Sequence, residues 1–238
     1  MHPDTMRLID RWVGIPLCFF ASFWPLKKAQ ADSNSTLATN IPPPDTIVFI
    51  GIAEIGALVV AYPAIKETRK QHPKSRICFI TAPAGVQTLE LMGFEKEDIF
   101  LLETSSIKSL LKGIVNIRSH FKGKRVSAIV LEPFTRFSTL LSAWIGASKR
   151  IGCYRFLNEG VYLGNILTHR LVYNPHLHMS QTYFALAKAL IEPDSAKPLL
   201  KEHIPSQIKN RLKINIPEKE RQTLMKRLQS ECPENPLK

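Results

Sequence analysis

Short apolar runs, each followed by a helical pattern, recur along the middle of the chain. Residues 46–53 (TIVFIGIA) form a β-branched run, the signature of a strand buried on both faces. Residues 56–71 then read as a helix with Leu58, Ala61 and Ile65 on one face, kinked or delayed by Pro63. Residues 76–81 predict a second strand, and 84–92 a short helix ended by Gly93. A third strand is predicted over 98–102 and a helix over 105–119. A fourth strand follows over 126–131, then a helix over 137–145 ended by Gly146. A short strand at 150–153, a sixth at 170–173 and a helix over 178–190 complete the alternation. This order specifies an α/β fold, a Rossmann-like doubly wound parallel sheet with helices on both faces. Ligands in such sheets bind beyond the carboxyl ends of the strands, so loops 51–56, 81–85, 132–136 and 152–160 carry the candidate chemistry.

The two flanks follow other patterns. Residues 13–26 (VGIPLCFFASFWPL) are mostly apolar, with Arg7 and Arg11 before them and Lys27 and Lys28 after. A bilayer-spanning helix needs about 20 apolar residues, so this run is too short. Pro16 and Pro25 are expected to interrupt a helix. Trp12, Trp24 and the flanking cations suit a segment lying at a membrane interface. Two rivals are a secretory signal peptide cleaved after Ala29-Gln30-Ala31 and a helix packed on the domain. Residues 32–45 are polar, then proline-rich, and read as a tether. After Leu190 the pattern weakens into a proline-interrupted charged stretch and a polar helix over 218–230. The expected organisation is an interfacial segment (1–28), a linker (29–45), a Rossmann-like domain (46–191) and a connecting tail (192–238). The tail is expected to be loosely held.

Composition narrows the partners. Apolar residues make up 45% and charged residues 22%, which suits a globular domain and excludes wholesale disorder. Lys and Arg number 32 against 20 Asp and Glu, a net charge of +12 that points to an anionic partner. Between Ser105 and Arg150 stand nine basic residues (Lys108, Lys112, Arg118, Lys122, Lys124, Arg125, Arg136, Lys149 and Arg150) and one acid, Glu132. This reads either as a solvated helix face with a basic loop or as a surface for an anion. Aromatic residues do not alternate with these charges, and no zinc-finger or RNA-recognition signature is present, so nucleic acid is disfavoured. Cys18, Cys78, Cys153 and Cys232 form no C-x-x-C pair and fit neither zinc nor a disulfide framework.

The loop after the first strand, Gly51-Ile52-Ala53-Glu54-Ile55-Gly56, lacks the G-x-G-x-x-G and P-loop spacings. Glu54 is an acid at a strand end before a helix, placed to act as a general base or to complement the helix dipole. Glu132, at the end of the fourth strand, is placed to face the same cleft. Arg136, one turn on, can pair with Glu132 or clamp an anion. His176 and His178 form an H-x-H pair without a third ligand at convincing spacing. Hydrogen bonding at a loop-to-helix transition competes with any binding role for them.

The segment IVFIGIAEIGALVVAYPAIKETRKQHP resembles the opening of glycosyltransferase family nine, the ADP-heptose:lipopolysaccharide heptosyltransferases. The stretch VLEPFTRFSTLLSAWIGASKRIGCYRFLNEGVYLGNILTHRLVYNPHLHMSQTYFALAKAL resembles one branch of that family. The resemblance implies one half of a two-domain B-type glycosyltransferase fold, the N-terminal, acceptor-side half. It implies inverting transfer from a nucleotide-sugar donor to an anionic lipid-linked saccharide acceptor, without metal or other cofactor. It also implies a cytoplasmic location at the inner-membrane surface. Glu54 is then the expected base, and Gly51, Gly56, Glu132, Arg136, Arg155, Asn158, His176 and His178 the expected substrate-binding set. Two departures stand out. The family's usual base follows the loop glycine, where this chain has Ala57 after Gly56. The donor domain is expected to begin after Pro236, where the chain ends, so the chain is expected to be inactive alone. A non-catalytic binding module and an unrelated α/β enzyme are the competing readings.

Overall fold

The β-branched runs pair into one sheet in the computed structural model, which describes residues 10–23, 43–52, 55–156, 161–192 and 218–231. Strands β1 (Thr46–Ile50), β2 (Arg76–Thr81), β3 (Ile99–Leu101), β4 (Val126–Val130), β5 (Lys149–Phe156) and β6 (His169–Tyr173) lie in the order β3-β2-β1-β4-β5-β6. Every pairing is parallel. The chain therefore winds outward from β1 in one direction and then, from β4, in the other, the doubly wound order expected of the alternation. β1 and β4 are buried along their whole length, which is why their sequences are continuous apolar runs rather than alternating ones.

Helices cover both faces. On one, α2 (Ile55–Val60), α3 (Tyr62–Gln71), α4 (Pro83–Leu91) and α7 (Met179–Lys188) close over Ile47, Phe49, Ile77, Phe79, Ile129 and Leu171. On the other, α5 (Ile107–Phe121) and α6 (Arg136–Trp144) close over Val48, Ile50, Cys78, Ile80, Ala128 and Val130. The alternate residues of each strand thus feed two separate cores. The helix expected over 56–71 is two helices: the chain breaks at Ala61, and Pro63 sits in the first turn of α3, where a missing N–H costs nothing. Gly93 and Gly146 end α4 and α6 with φ of 83° and 80°, as their placement in the sequence suggested.

The N-terminal run folds as a π-helical turn (Asp10–Gly14) running into α1 (Ile15–Phe23). Pro16 falls in the first turn of α1 and does not interrupt it, which corrects the expectation drawn from that residue; Pro25 lies outside the described residues. α1 packs on α6. Among the described residues, no helix is long and apolar enough to cross a membrane. A last helix, α8 (Glu218–Glu231), carries no buried residue. Most of the tail, including Cys232, lies outside the described residues.

Candidate functional site

Because all six strands are parallel, the loops after β1, β4, β5 and β6 leave the same edge of the sheet. The loop after β1 departs through a narrow place. The Gly51 N–H donates to the Ile80 carbonyl at 3.0 Å. A Cβ at Gly51 would meet Leu58 Cδ2 at 3.1 Å and Leu131 Cδ1 at 3.4 Å, so glycine lets β1 run between α2 and the end of β4. Gly56 differs: it lies exposed in the first turn of α2, where a Cβ would meet nothing within 4 Å.

Glu132 is 8% exposed at the end of β4. Its Oε1 accepts the Ile52 N–H at 2.6 Å, and its Oε2 accepts the hydroxyl of buried Ser138 in α6. A buried carboxylate needs such donors, and these two tie three elements together: the loop after β1, the end of β4 and the first turns of α6. Glu132 thus anchors Ile52, which stands two residues before Glu54 in the sequence. Ala53 and Glu54 themselves lie outside the described residues.

Phe134, two residues past Glu132, has a φ of 62°. That region is unfavourable for a bulky side chain and is found where surrounding contacts enforce it. The Phe134 ring meets Tyr173, at the end of β6, edge-on with centroids 5.6 Å apart. The loops after β4 and β6 are thereby joined. Arg136 opens α6, and its Nε donates to the Tyr162 carbonyl at 3.1 Å, drawing in the segment before β6.

The histidine pair enters from the β6 side. His178 caps α7: its Nδ1 accepts the Ser180 N–H at 3.2 Å, and its own N–H donates to Gln181 Oε1 at 3.0 Å. The His176 N–H donates to Asn174 Oδ1 at 3.0 Å, and the residue is exposed. His178 is thus committed to the loop-to-helix transition. Among the described residues, no group of three His, Cys, Asp or Glu side chains is placed to hold a metal ion. Arg155 lies in β5 with its side chain outside the description, and Asn158 is outside it altogether.

Two expectations about charge and thiols sharpen here. Lys149 and Arg150, counted in the basic stretch, are buried rather than part of a basic surface. Lys149 Nζ donates to the Leu190 and Glu192 carbonyls at 2.8 Å each. Arg150 donates from Nε to the Ile166 carbonyl at 2.6 Å and from a terminal nitrogen to the Ala147 carbonyl at 2.5 Å. Arg125 is paired with Asp45 at 2.6 Å, which holds that carboxyl below the usual carboxylate range. Burial pushes both Cys78 and Cys153 up to about 12, so neither thiol is a nucleophile at neutral pH. Sequence reasoning passed over Ser138, Phe134 and Tyr173. Ser138 carried a faint signal, a polar residue on the inward face of α6. A left-handed phenylalanine carries none.

Neither a scan against protein-family models nor a search of curated proteins finds a match. Solved structures do resemble the chain. It is 17% identical to the glycosyl transferase family 9 protein from Veillonella parvula, with a TM-score of 0.54 over 82% of this chain and 51% of that one. It is 16% identical to ADP-heptose lps heptosyltransferase II from E. coli, with a TM-score of 0.53 over 77% of this chain and 50% of that one. At these identities the likeness shows a shared fold, a Rossmann-like α/β sheet of the kind found in these glycosyltransferases. The chain spans about half the length of either structure.

Proposed function

We propose that residues 46–191 are the acceptor-side domain of a sugar transferase of the heptosyltransferase type. The donor is a nucleotide sugar such as ADP-heptose, held by the other half of that two-domain fold. The acceptor is an anionic, lipid-linked lipopolysaccharide core saccharide, met at the cytoplasmic face of the inner membrane. The observation that carries this reading is the Glu132 anchor in a fold shared with family 9 structures. It holds Ile52, two residues before Glu54 in the sequence, at the sheet edge where such folds bind ligands. In the reaction, the Glu54 carboxylate takes the proton of an acceptor hydroxyl. The hydroxyl oxygen attacks the anomeric carbon as its bond to the nucleoside diphosphate breaks, with inversion. Gly51, Gly56, Arg136, Arg155, Asn158 and His176 line the acceptor side, with Arg136 and Arg155 meeting its anionic groups.

Ala57 supports a second reading, a binding module without catalysis. It occupies the position where the family carries its aspartate, and here it is 6% exposed and packed in the core.

Acceptor binding tests the first half of the proposal. A delipidated, heptose-deficient core oligosaccharide titrated into the isotopically labelled chain should shift amide resonances in 51–56, 132–136 and 174–178. Shifts confined to α4 or α8, or none at saturating ligand, would remove the acceptor assignment.

A further inference from the structure

α1, with the π-helical turn that leads into it, is turned inside out for a helix packed on a domain surface. Its small residues face the protein: Gly14 and Cys18 are buried, and Ser22 Oγ accepts the Asn165 N–H at 2.9 Å. Its large residues face outward: Trp12, Phe20 and Phe23 are 71%, 68% and 73% exposed, with Leu17 and Phe19 beside them. The Gly14, Cys18, Ser22 spacing is one stripe of a helix, so the docking is built into the sequence. At Gly164, with φ of 59°, a Cβ would lie 2.0 Å from Ser22 Oγ and 2.7 Å from the Cys18 carbonyl. The helix is seated closely, and it presents its apolar side from a fixed position.

The neighbouring layer continues the pattern. α1 packs on α6, and the exposed Trp144 at the end of α6 lies under Arg118 of α5, whose guanidinium is 5.0 Å from the ring centroid. On α5, Ile107, Leu111 and Val115 are all exposed at i, i+4, i+8 spacing. Arg118 and Lys122 extend that stripe, and Lys108 and Lys112 flank it. The charge on α5 and α6 is mostly positive, with Asp10 before α1 and Glu103 before α5 as flanking acids. From Thr104 to Asn158 the sole acid in the sequence is Glu132, and it is buried under α6. The opposite helical layer is mixed, with Glu67 beside Lys66 and Lys70 on α3 and Glu90 on α4. Aromatic and aliphatic side chains set among an excess of lysine and arginine match a bilayer interface bearing anionic headgroups.

We propose that the α1–α6–α5 side of the domain is a docking surface for an anionic lipid bilayer, with Trp12, Phe20 and Phe23 entering the interface and Lys108, Lys112 and Arg118 meeting headgroup phosphates. This deepens the reading of the protein as one that works on a lipid-linked acceptor, and it adds the orientation. The link to the candidate site is α6, which belongs to the docked face and opens at Arg136 beside the loop after β4.

Flotation of the full chain with phosphatidylcholine vesicles, with and without phosphatidylglycerol, tests this directly. Binding is expected to the anionic vesicles, weaker by about tenfold or more on neutral ones. F20S/F23S and K108E/K112E should each weaken it by about tenfold or more, while K66E/K70E on the opposite layer leaves it unchanged. All six positions are exposed, and circular dichroism of each variant checks that the fold persists. No binding, equal binding to neutral vesicles, or an equal effect of K66E/K70E would overturn the proposal. So would a stable dimer that F20S/F23S dissolves, since a second copy would then cover the face. The vesicles carry neither donor nor saccharide, so failure here is separable from failure of the transferase reading.

Discussion

At the scale of single residues, Glu132 shows how sequence and structure divide the information. That an acid ends β4 is legible in VLEPF. That it binds the Ile52 N–H, 80 positions away, is not, because the partner depends on β1 and β4 being neighbours. Glu132→Ala strands a half-buried N–H and a buried hydroxyl and is expected to cost about 1–3 kcal/mol, measurable by urea unfolding. Glu132→Gln, which keeps an acceptor oxygen, should cost distinctly less. His72 gives a pH signature. Burial, with Lys149 nearby, holds its imidazole below the ordinary 6.5. The folded state then binds fewer protons than the unfolded one. Its contribution is complete above pH 6.5 and is lost as pH falls towards the depressed folded value. Stability measured across that window should decline with acidification, and His72→Gln should flatten the slope.

At the scale of elements, alternating strands and helices were readable because strands buried on both faces write themselves as uninterrupted apolar runs. α1 was harder. Its composition suggested an interfacial segment, with a signal peptide and a packed helix as rivals. The structure shows a helix packed on α6 and the 164–166 turn through its stripe of small residues, with the bulky side facing out. Periodicity of apolar residues alone hides this arrangement, because glycine, cysteine and serine form the inward face. Gly164→Ala is expected to unseat α1 while leaving the sheet intact. Hydrogen exchange would show it as lost protection confined to residues 14–23 and 164–166. Unchanged protection of α1 in that variant would mean the contact does not hold the helix.

At the scale of the whole molecule, the strand order, the two cores and the edge where the loops gather follow from the alternation, and the likeness to family 9 structures supports the same architecture. The net charge of +12 points to an anionic partner, but the sequence overstates the basic surface. Lys149 and Arg150 are consumed by carbonyls and Arg125 by Asp45, so the exposed cations of the 105–150 stretch lie mainly on and just after α5. The proposed catalysis turns on Glu54, since Ala57 follows Gly56 and carries no carboxylate. The most direct measurement is sugar transfer from ADP-heptose to heptose-deficient lipopolysaccharide by this chain joined to the donor-side half of a family 9 heptosyltransferase. The expected result is turnover by the joined protein that Glu54→Gln lowers by about hundredfold or more, with acceptor binding retained. Acceptor binding with no transfer, or transfer indifferent to Glu54→Gln, would contradict the role given to this carboxylate.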